Sequence, residues 1–466
     1  MRKALYWVLF LAFMAVCVYF MVHNAYWLIG DESIVMAHTG MGKPFPLFGM
    51  DGMIQSCGRL YPFAYTLYNV LLLFFDGYIP VWAHYALHAF ALVVFAGAFS
   101  FLSLHILNEV SNAWKYAITL CVTMICVFRV YPEFVTCYTG VWIVFLGLSL
   151  FLLSLCKFFD TEKWGWAVVA LLSINYIIYC YETVFVIPLA IGICSLLFDY
   201  KKLSRNKKLF SWLLLGSGVL FLLLYVVLVL PNATNFYHHE YKESMLGNAV
   251  SMFLANKLYW MALVVLVVRL VSFVKHKSVY TVYDSLLLAS LAYFCGAAVL
   301  RLNFVYYYNV GALVSLVPVL HFLKEWIKPY WVFVVMLAFA AFYGRKFPAK
   351  VKMNQEARIE TNNAVTTLAE YYVNGSPLYW YAPAYEDASN YLADNRNCQH
   401  IRLELYLGWL LQKDVIIVEE SEFVAEKHGI WLFPCENYKL FPEDDTEKGL
   451  SDVLFETSGI KGFVVQ

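Results

Sequence analysis

Charge is scarce in this chain. Asp, Glu, Lys and Arg make up 14% of its 466 residues, against 62% hydrophobic. Soluble globular chains carry about 25% charged and about 45–50% apolar residues. A surface wetted all round is therefore excluded, and lipid must be the solvent over much of the length. Other absences narrow the chemistry. No Walker loop, GxSxG or HExxH occurs, and the 11 Cys show neither CxxC nor zinc spacing. No basic patch points to nucleic acid. Most cysteines, among them Cys121, Cys126, Cys156, Cys194 and Cys295, sit in apolar runs where a thiol is a small hydrophobe. Cys398 and Cys435 fall in the C-terminal tail and could pair in an oxidising compartment.

Aromatics are plentiful, at 18% with 35 Tyr and 14 Trp. Such rings suit the belts between lipid tails and headgroups. A span needs about 20 mostly apolar residues. Eleven are expected, at 4–22, 80–104, 115–130, 140–157, 165–180, 182–198, 211–230, 258–274, 279–300, 309–323 and 330–343. The apolar run 63–75, broken by Asp76-Gly77 and Pro80, predicts an interfacial or re-entrant helix. Met1-Arg2-Lys3 opens the first span, which lacks a small-x-small cleavage site and reads as an uncleaved anchor.

The net charge is zero but uneven. Residues 1–343 hold 14 acids and 21 bases, and residues 344–466 hold 19 acids and 12 bases. A cytoplasmic N-terminus puts Lys201, Lys202, Arg205, Lys207 and Lys208 inside, as the positive-inside rule asks. The loops 23–79, 131–139, 231–257 and 301–308 then lie outside, with everything after about residue 344. The expectation is a multi-pass membrane protein, 1–343, followed by an extracytoplasmic α/β domain, 344–466. In that domain 354–373 predicts a helix. Leu378-Tyr-Trp-Tyr-Ala, Asp414-Val-Ile-Ile-Val, Ile430-Trp-Leu-Phe and Gly462-Phe-Val-Val predict short buried strands.

The acids gather at the outer rim. Asp31 and Glu32 stand together just beyond the first span, in a long segment rich in turn residues. A carboxylate in apolar surroundings has its pKa raised toward values useful for a general base. Arg59, in Gly58-Arg59-Leu-Tyr61, suits bidentate capture of a phosphate. Arg129-Val-Tyr131-Pro132-Glu133 offers a second acid, Glu133, in a Pro-marked loop. Glu182 lies where one span ends and the next begins, a costly place for an unpaired acid. His238-His239-Glu240 hints at a metal, weakly, since adjacent histidines point apart. Arg301, followed by Tyr306, Tyr307 and Tyr308, could grip a phosphate or anchor a span.

This layout resembles the GT-C class of membrane glycosyltransferases, which includes aminoarabinose transferases, protein O-mannosyltransferases and oligosaccharyltransferases. The shared parts are the early acidic motif Asp31-Glu32, the second acid Glu133, many spans and an outer C-terminal domain. The resemblance implies a polyprenyl-phosphate-linked sugar donor, usually with inversion at the anomeric centre. It implies Asp31 as base, alone or with Glu32. Glu133 and Glu182 would position the acceptor or a divalent cation, and Arg59 and Arg301 would steady the leaving phosphate. Tyr307 and His238 are further substrate-binding candidates. The acceptor could be a lipid, a glycan or a protein. The chain lacks a WWDYG-type motif, which weakens transfer to Asn. Two alternatives stand beside this reading. One is a surface-polysaccharide polymerase or ligase, disfavoured because the largest outer element is terminal. The other is a transporter or flippase, disfavoured because the spans hold almost no mid-membrane charge.

Overall fold

The structure is a computed structural model. It describes residues 2–29, 32–46, 58–136, 140–233, 244–276, 279–302, 304–381, 399–424, 426–434, 452–457 and 460–465. Asp31, His238, Cys398 and Cys435 lie outside the described residues.

The long helices form in apolar runs that carry no more than two charges per 18-residue window. In chain order they are α1 (Arg2–Val22), the short α2 (Glu32–Ala37), α3 (Val81–Ile106), α4 (Asn112–Phe134), α5 (Val141–Thr161), α6 (Trp164–Ile178), α7 (Val186–Phe198) and α8 (Arg205–Leu224). Then come α9 (Met245–Ala255), α10 (Lys257–His276), α11 (Val282–Val299), α12 (Val305–Trp326), α13 (Pro329–Gly344) and α14 (Phe347–Val373). Among the described residues nine helices are long and apolar enough to cross a membrane. Trp164–Ile178 and Glu182–Phe198 are shorter apolar helices at two further expected spans. The protein is a helical membrane bundle with a small C-terminal sheet.

Burial sorts the helices. The window in Val305–Trp326 is 89% buried, which makes α12 the axis of the bundle, whereas α1, α8 and α10 are 28% buried. Their exposed Leu, Val and Phe faces, such as Leu220, Leu223 and Val227 on and just beyond α8, are the lipid surface. Close packing uses small residues. A Cβ on Gly192 would lie 2.7 Å from the Leu215 nitrogen, and one on Gly218 would lie 2.8 Å from Leu189 Cβ. These two glycines let α7 and α8 approach backbone to backbone, without a hydrophobic force to draw them together in lipid.

The run 63–75 is helical as expected, in the form of the 3-10 helix Thr66–Leu73, with Leu73 and Phe74 exposed. Two expected loops are corrected. The expected outer loop 231–257 contains α9. The second expected loop, 131–139, begins as helix, because α4 runs on through Pro132 to Phe134. Proline near a helix end removes one donor without stopping the turn.

The C-terminal sheet has the order β2-β1-β3-β5-β4, from β1 (Leu378–Tyr381), β2 (Val418–Glu420), β3 (Gly429–Pro434), β4 (Asp452–Glu456) and β5 (Ile460–Val465). β1 pairs in parallel with β2 and β3, and β5 runs antiparallel to β3 and β4. The helix α15 (Gln399–Leu411) makes the crossover from β1 to β2 that parallel pairing needs. Three expected strands appear, the 414–418 run pairs only from Val418, and β4 was not anticipated. One sheet face (Leu378, Trp380, Ile430, Leu432) joins the main core. The other face closes over Trp431, Phe433, Phe463 and Val465. The sheet caps the bundle at the end where α4 and α6 finish, the sheet end.

Candidate active site

Glu32 opens α2 at the sheet end and is 2% exposed. Its carboxylate accepts the Leu28 N–H at 2.8 Å and the Tyr85 hydroxyl at 3.2 Å. A buried charge is tolerable only with such donors. Tyr85, on α3, is itself held. The Arg358 guanidinium lies 4.0 Å from its ring centroid. Arg358 belongs to α14, is fully buried, and donates to the Met21 carbonyl at 3.0 Å and to the Val135 carbonyl. One side chain thus ties the ends of α1 and α4 to the residue that holds Glu32. From the other side comes Tyr406 of α15. Burial pushes its phenol pKa up, and the nearby charge of Glu32 pushes the same way.

A neutral network lies beside Glu32 on α3. The Trp142 indole N–H donates to Tyr68 Oη at 3.0 Å. Tyr68 Oη stands 2.6 Å from His88 Nε2, and His88 Nδ1 stands 2.9 Å from the Phe134 carbonyl. A carbonyl can only accept, so the proton sits on Nδ1 and Tyr68 donates to Nε2. His84, one turn earlier, reaches Thr39 Oγ1 at 3.1 Å. Both histidines are fully buried. The sequence reading passed over them. Their signal was there: two His at i and i+4, one face of an otherwise apolar helix.

Arg59, Glu182 and Tyr307 are brought together. Arg59 Nε donates to Glu182 Oε1 at 2.7 Å and Nη2 to Oε2 at 3.3 Å. The guanidinium lies 4.4 Å from the Tyr61 ring and 5.7 Å from that of Tyr181. Burial works against the charge on Arg59. Glu182, Tyr307 and Tyr61 more than offset it and hold the guanidinium protonated well above its ordinary range. Tyr307 also packs 5.0 Å from Tyr181, centroid to centroid. The π turn Tyr225–Val229 ending α8 sends the Tyr225 hydroxyl to the Gly58 carbonyl at 2.9 Å. The segment from Arg59 to Tyr68 therefore runs from this cluster to the histidine network. Sequence reading gave Arg59 and Glu182 separate tasks; in the fold they are partners.

Glu133 sits in the last turn of α4, and Lys350 of α14 is the opposing charge that acts on it. Arg301 occupies the turn between α11 and α12 with φ 56°, a left-handed conformation uncommon for a residue with a Cβ. That turn leads into Tyr307 two turns before the buried middle of α12. Among the described residues no group of three or more His, Cys, Asp and Glu is arranged to hold a metal ion.

No family model and no curated protein matches the sequence. Solved structures do match the fold. ArnT from Cupriavidus metallidurans, bound to undecaprenyl phosphate, superposes with TM-score 0.53 at 11% identity, over 98% of this chain and 97% of that one. Its apo state gives 0.55 at 12% identity, over 99% and 98%. The chain has the GT-C membrane fold. At such identity the likeness is one of architecture, and it extends through the bundle and the C-terminal sheet alike.

Proposed function

We propose that this protein is a polyprenyl-phosphate-dependent glycosyltransferase working at the outer face of the membrane. The observation that carries the reading is the ArnT architecture over nearly the whole chain, in a structure whose sheet end collects Glu32, Arg59, Glu133 and Glu182. The ArnT fold has been seen with undecaprenyl phosphate bound, and the same class of carrier lipid is the donor inferred here.

Asp31 acts as the base. It takes the proton of an acceptor hydroxyl or amine as that atom's lone pair forms the new bond to the anomeric carbon. The bond from that carbon to the phosphate oxygen breaks, and its electron pair leaves on the polyprenyl phosphate. Glu32, fixed by Leu28 and Tyr85, keeps a negative field beside Asp31 that favours proton uptake. Arg301 and Tyr307 lie toward the leaving phosphate, where negative charge grows in the transition state. The Arg59–Glu182 pair shapes the neighbouring wall, and Glu133 and His238 bear on the acceptor. A lipid, glycan or protein acceptor fits this chemistry equally.

The N-terminus is cytoplasmic and the sheet lies outside, because the basic cluster 201–208 falls at the opposite end of the bundle. Division into a catalytic bundle, 1–343, and an outer domain, 344–466, follows, with α14 docked on the bundle through Arg358.

The test is sugar transfer in proteoliposomes loaded with polyprenyl-phosphate sugars. The wild type releases polyprenyl phosphate in step with glycosylated acceptor. An Asp31→Asn protein that folds and keeps full activity would overturn the assignment.

A further inference from the structure

The geometry points to a second basic group, Arg129, as the seat of an anionic phosphate headgroup. Arg129 lies on α4 one turn before Glu133. Among the other buried arginines Arg59 has Glu182 and Arg269 has Asp284, while Arg358 gives its two Nη atoms to two backbone carbonyls. Arg129 has no acid partner among the described residues. It donates through Nη2 to the Asn309 side-chain oxygen on α12, and Asn309 returns a bond to the Arg129 carbonyl at 2.9 Å. Its Nε is buried and has no hydrogen-bond partner. The guanidinium lies 4.8 Å from the ring centroid of Tyr343, on α13, whose hydroxyl is also buried and without a partner.

Arg129 and Tyr343 thus lie side by side, and the Arg129 Nε still lacks an acceptor. A charged side chain in a membrane span is costly unless it is paired or meets a polar cavity, and such a residue marks function by default. The remaining charges nearby sharpen the sign. Lys350, at the start of α14, lies in the field of Arg129, Lys346 and Glu133. Three cations and one acid make a net positive region around the junction of α4, α13 and α14. A guanidinium binds phosphate oxygens by paired, charge-assisted bonds, which a water or a neutral carbonyl cannot match. Snorkelling to the headgroup layer would leave Nε wet, and it is dry.

We propose that Arg129 and Tyr343, with Lys350 at the rim, bind the phosphate of a membrane-embedded lipid phosphate. The identity of that lipid as a polyprenyl phosphate rests on the transferase reading; the anion site does not. The probes are undecaprenyl phosphate, undecaprenol and inorganic phosphate, added to the purified full-length protein in dodecyl maltoside, which carries no phosphate. Wild type is expected to bind undecaprenyl phosphate at least about tenfold tighter than undecaprenol. Arg129→Gln should lose roughly that factor for the phosphate and nothing for undecaprenol. Arg129→Lys should recover part of it, and Tyr343→Phe should lose less than Arg129→Gln. Thermal unfolding of each variant checks the fold. Unchanged affinity in Arg129→Gln overturns the proposal. So does an equal loss for both lipids, which would make Arg129 structural. Inorganic phosphate displacing the lipid at equal concentration would keep the anion site and overturn its assignment to a lipid. Arg129-dependent binding without any sugar transfer would overturn the transferase reading and leave this site standing.

Discussion

The two ends of the bundle treat charge in opposite ways. At the end away from the sheet, several acids are matched by a cation or a histidine nitrogen. Arg269 meets Asp284 at 2.7 Å, His105 meets Asp160 at 2.6 Å and His321 meets Glu325 at 3.2 Å. Lys207 reaches Glu162 at 3.6 Å, and Lys324 reaches Glu109 at 3.8 Å and the Ile106 carbonyl at 2.7 Å. These pairs join helix ends, and the pairing leaves little for a ligand to do. At the sheet end Arg59 and Glu182 are matched in this way, and the C-terminal domain has pairs of its own, such as His400 with Glu419 at 2.9 Å. Glu32 accepts from the Leu28 N–H and the Tyr85 hydroxyl, while Arg129 and Glu133, one turn apart on α4, make no ion pair among the described residues. Unpaired buried charge is unfavourable for the empty protein. The transferase reading expects the charged substrate at the end where Arg129 and Glu133 lie.

That contrast can be broken by substitution. Asp31→Asn should lower transfer by about 10²–10⁴-fold, the range for a general base, with unfolding unchanged. Transfer assays beside thermal melts decide it. Arg269→Ala at the far end should do the reverse. It leaves Asp284 buried without its cation and should cost roughly 3–5 kcal/mol of stability. Turnover per folded molecule should stay the same, and a matching loss of turnover would show that the far end is not purely structural.

Smaller effects sharpen the comparison within the sheet end. Glu182→Gln keeps a hydrogen bond to Arg59 but removes the charge, and should cost about 1.5–3 kcal/mol, read by chemical unfolding. Tyr85→Phe removes one bond to Glu32. A rise of about 0.5–1.5 kcal/mol in the activation barrier is expected, a roughly two- to tenfold fall in rate. If Tyr85→Phe matched Asp31→Asn, Glu32 and not Asp31 would be the working base.

Much of this architecture was legible in the chain. Span positions follow from runs of apolar residues whose lengths the bilayer sets, and every expected span has a helix on it. The short strand β4 escaped because Asp452–Glu456 alternates poorly and pairs through an irregular register at Val453 and Phe455. The helix through Pro132 escaped because proline near a helix end looks like a loop signal in sequence alone.

The site was read less completely. Position along the chain put Arg59, Glu182 and Tyr307 at one rim, but their pairing is a tertiary fact. In sequence Arg129 stands only as the first residue of the motif that leads to Glu133. Only the fold reveals that Asn309 and Tyr343, far along the chain, surround it without an acid. His84 and His88 were similarly hidden, since burial, not spacing, makes their hydrogen bonds obligatory.

The most direct measurement sets the two ends against each other. Undecaprenyl phosphate affinity and melting temperature are taken for Arg129→Gln and Arg269→Gln side by side. The account predicts that Arg129→Gln loses lipid affinity with little change in melting. Arg269→Gln should lose melting temperature with its affinity intact. Equal losses of affinity in both variants, or loss only in Arg269→Gln, would contradict it.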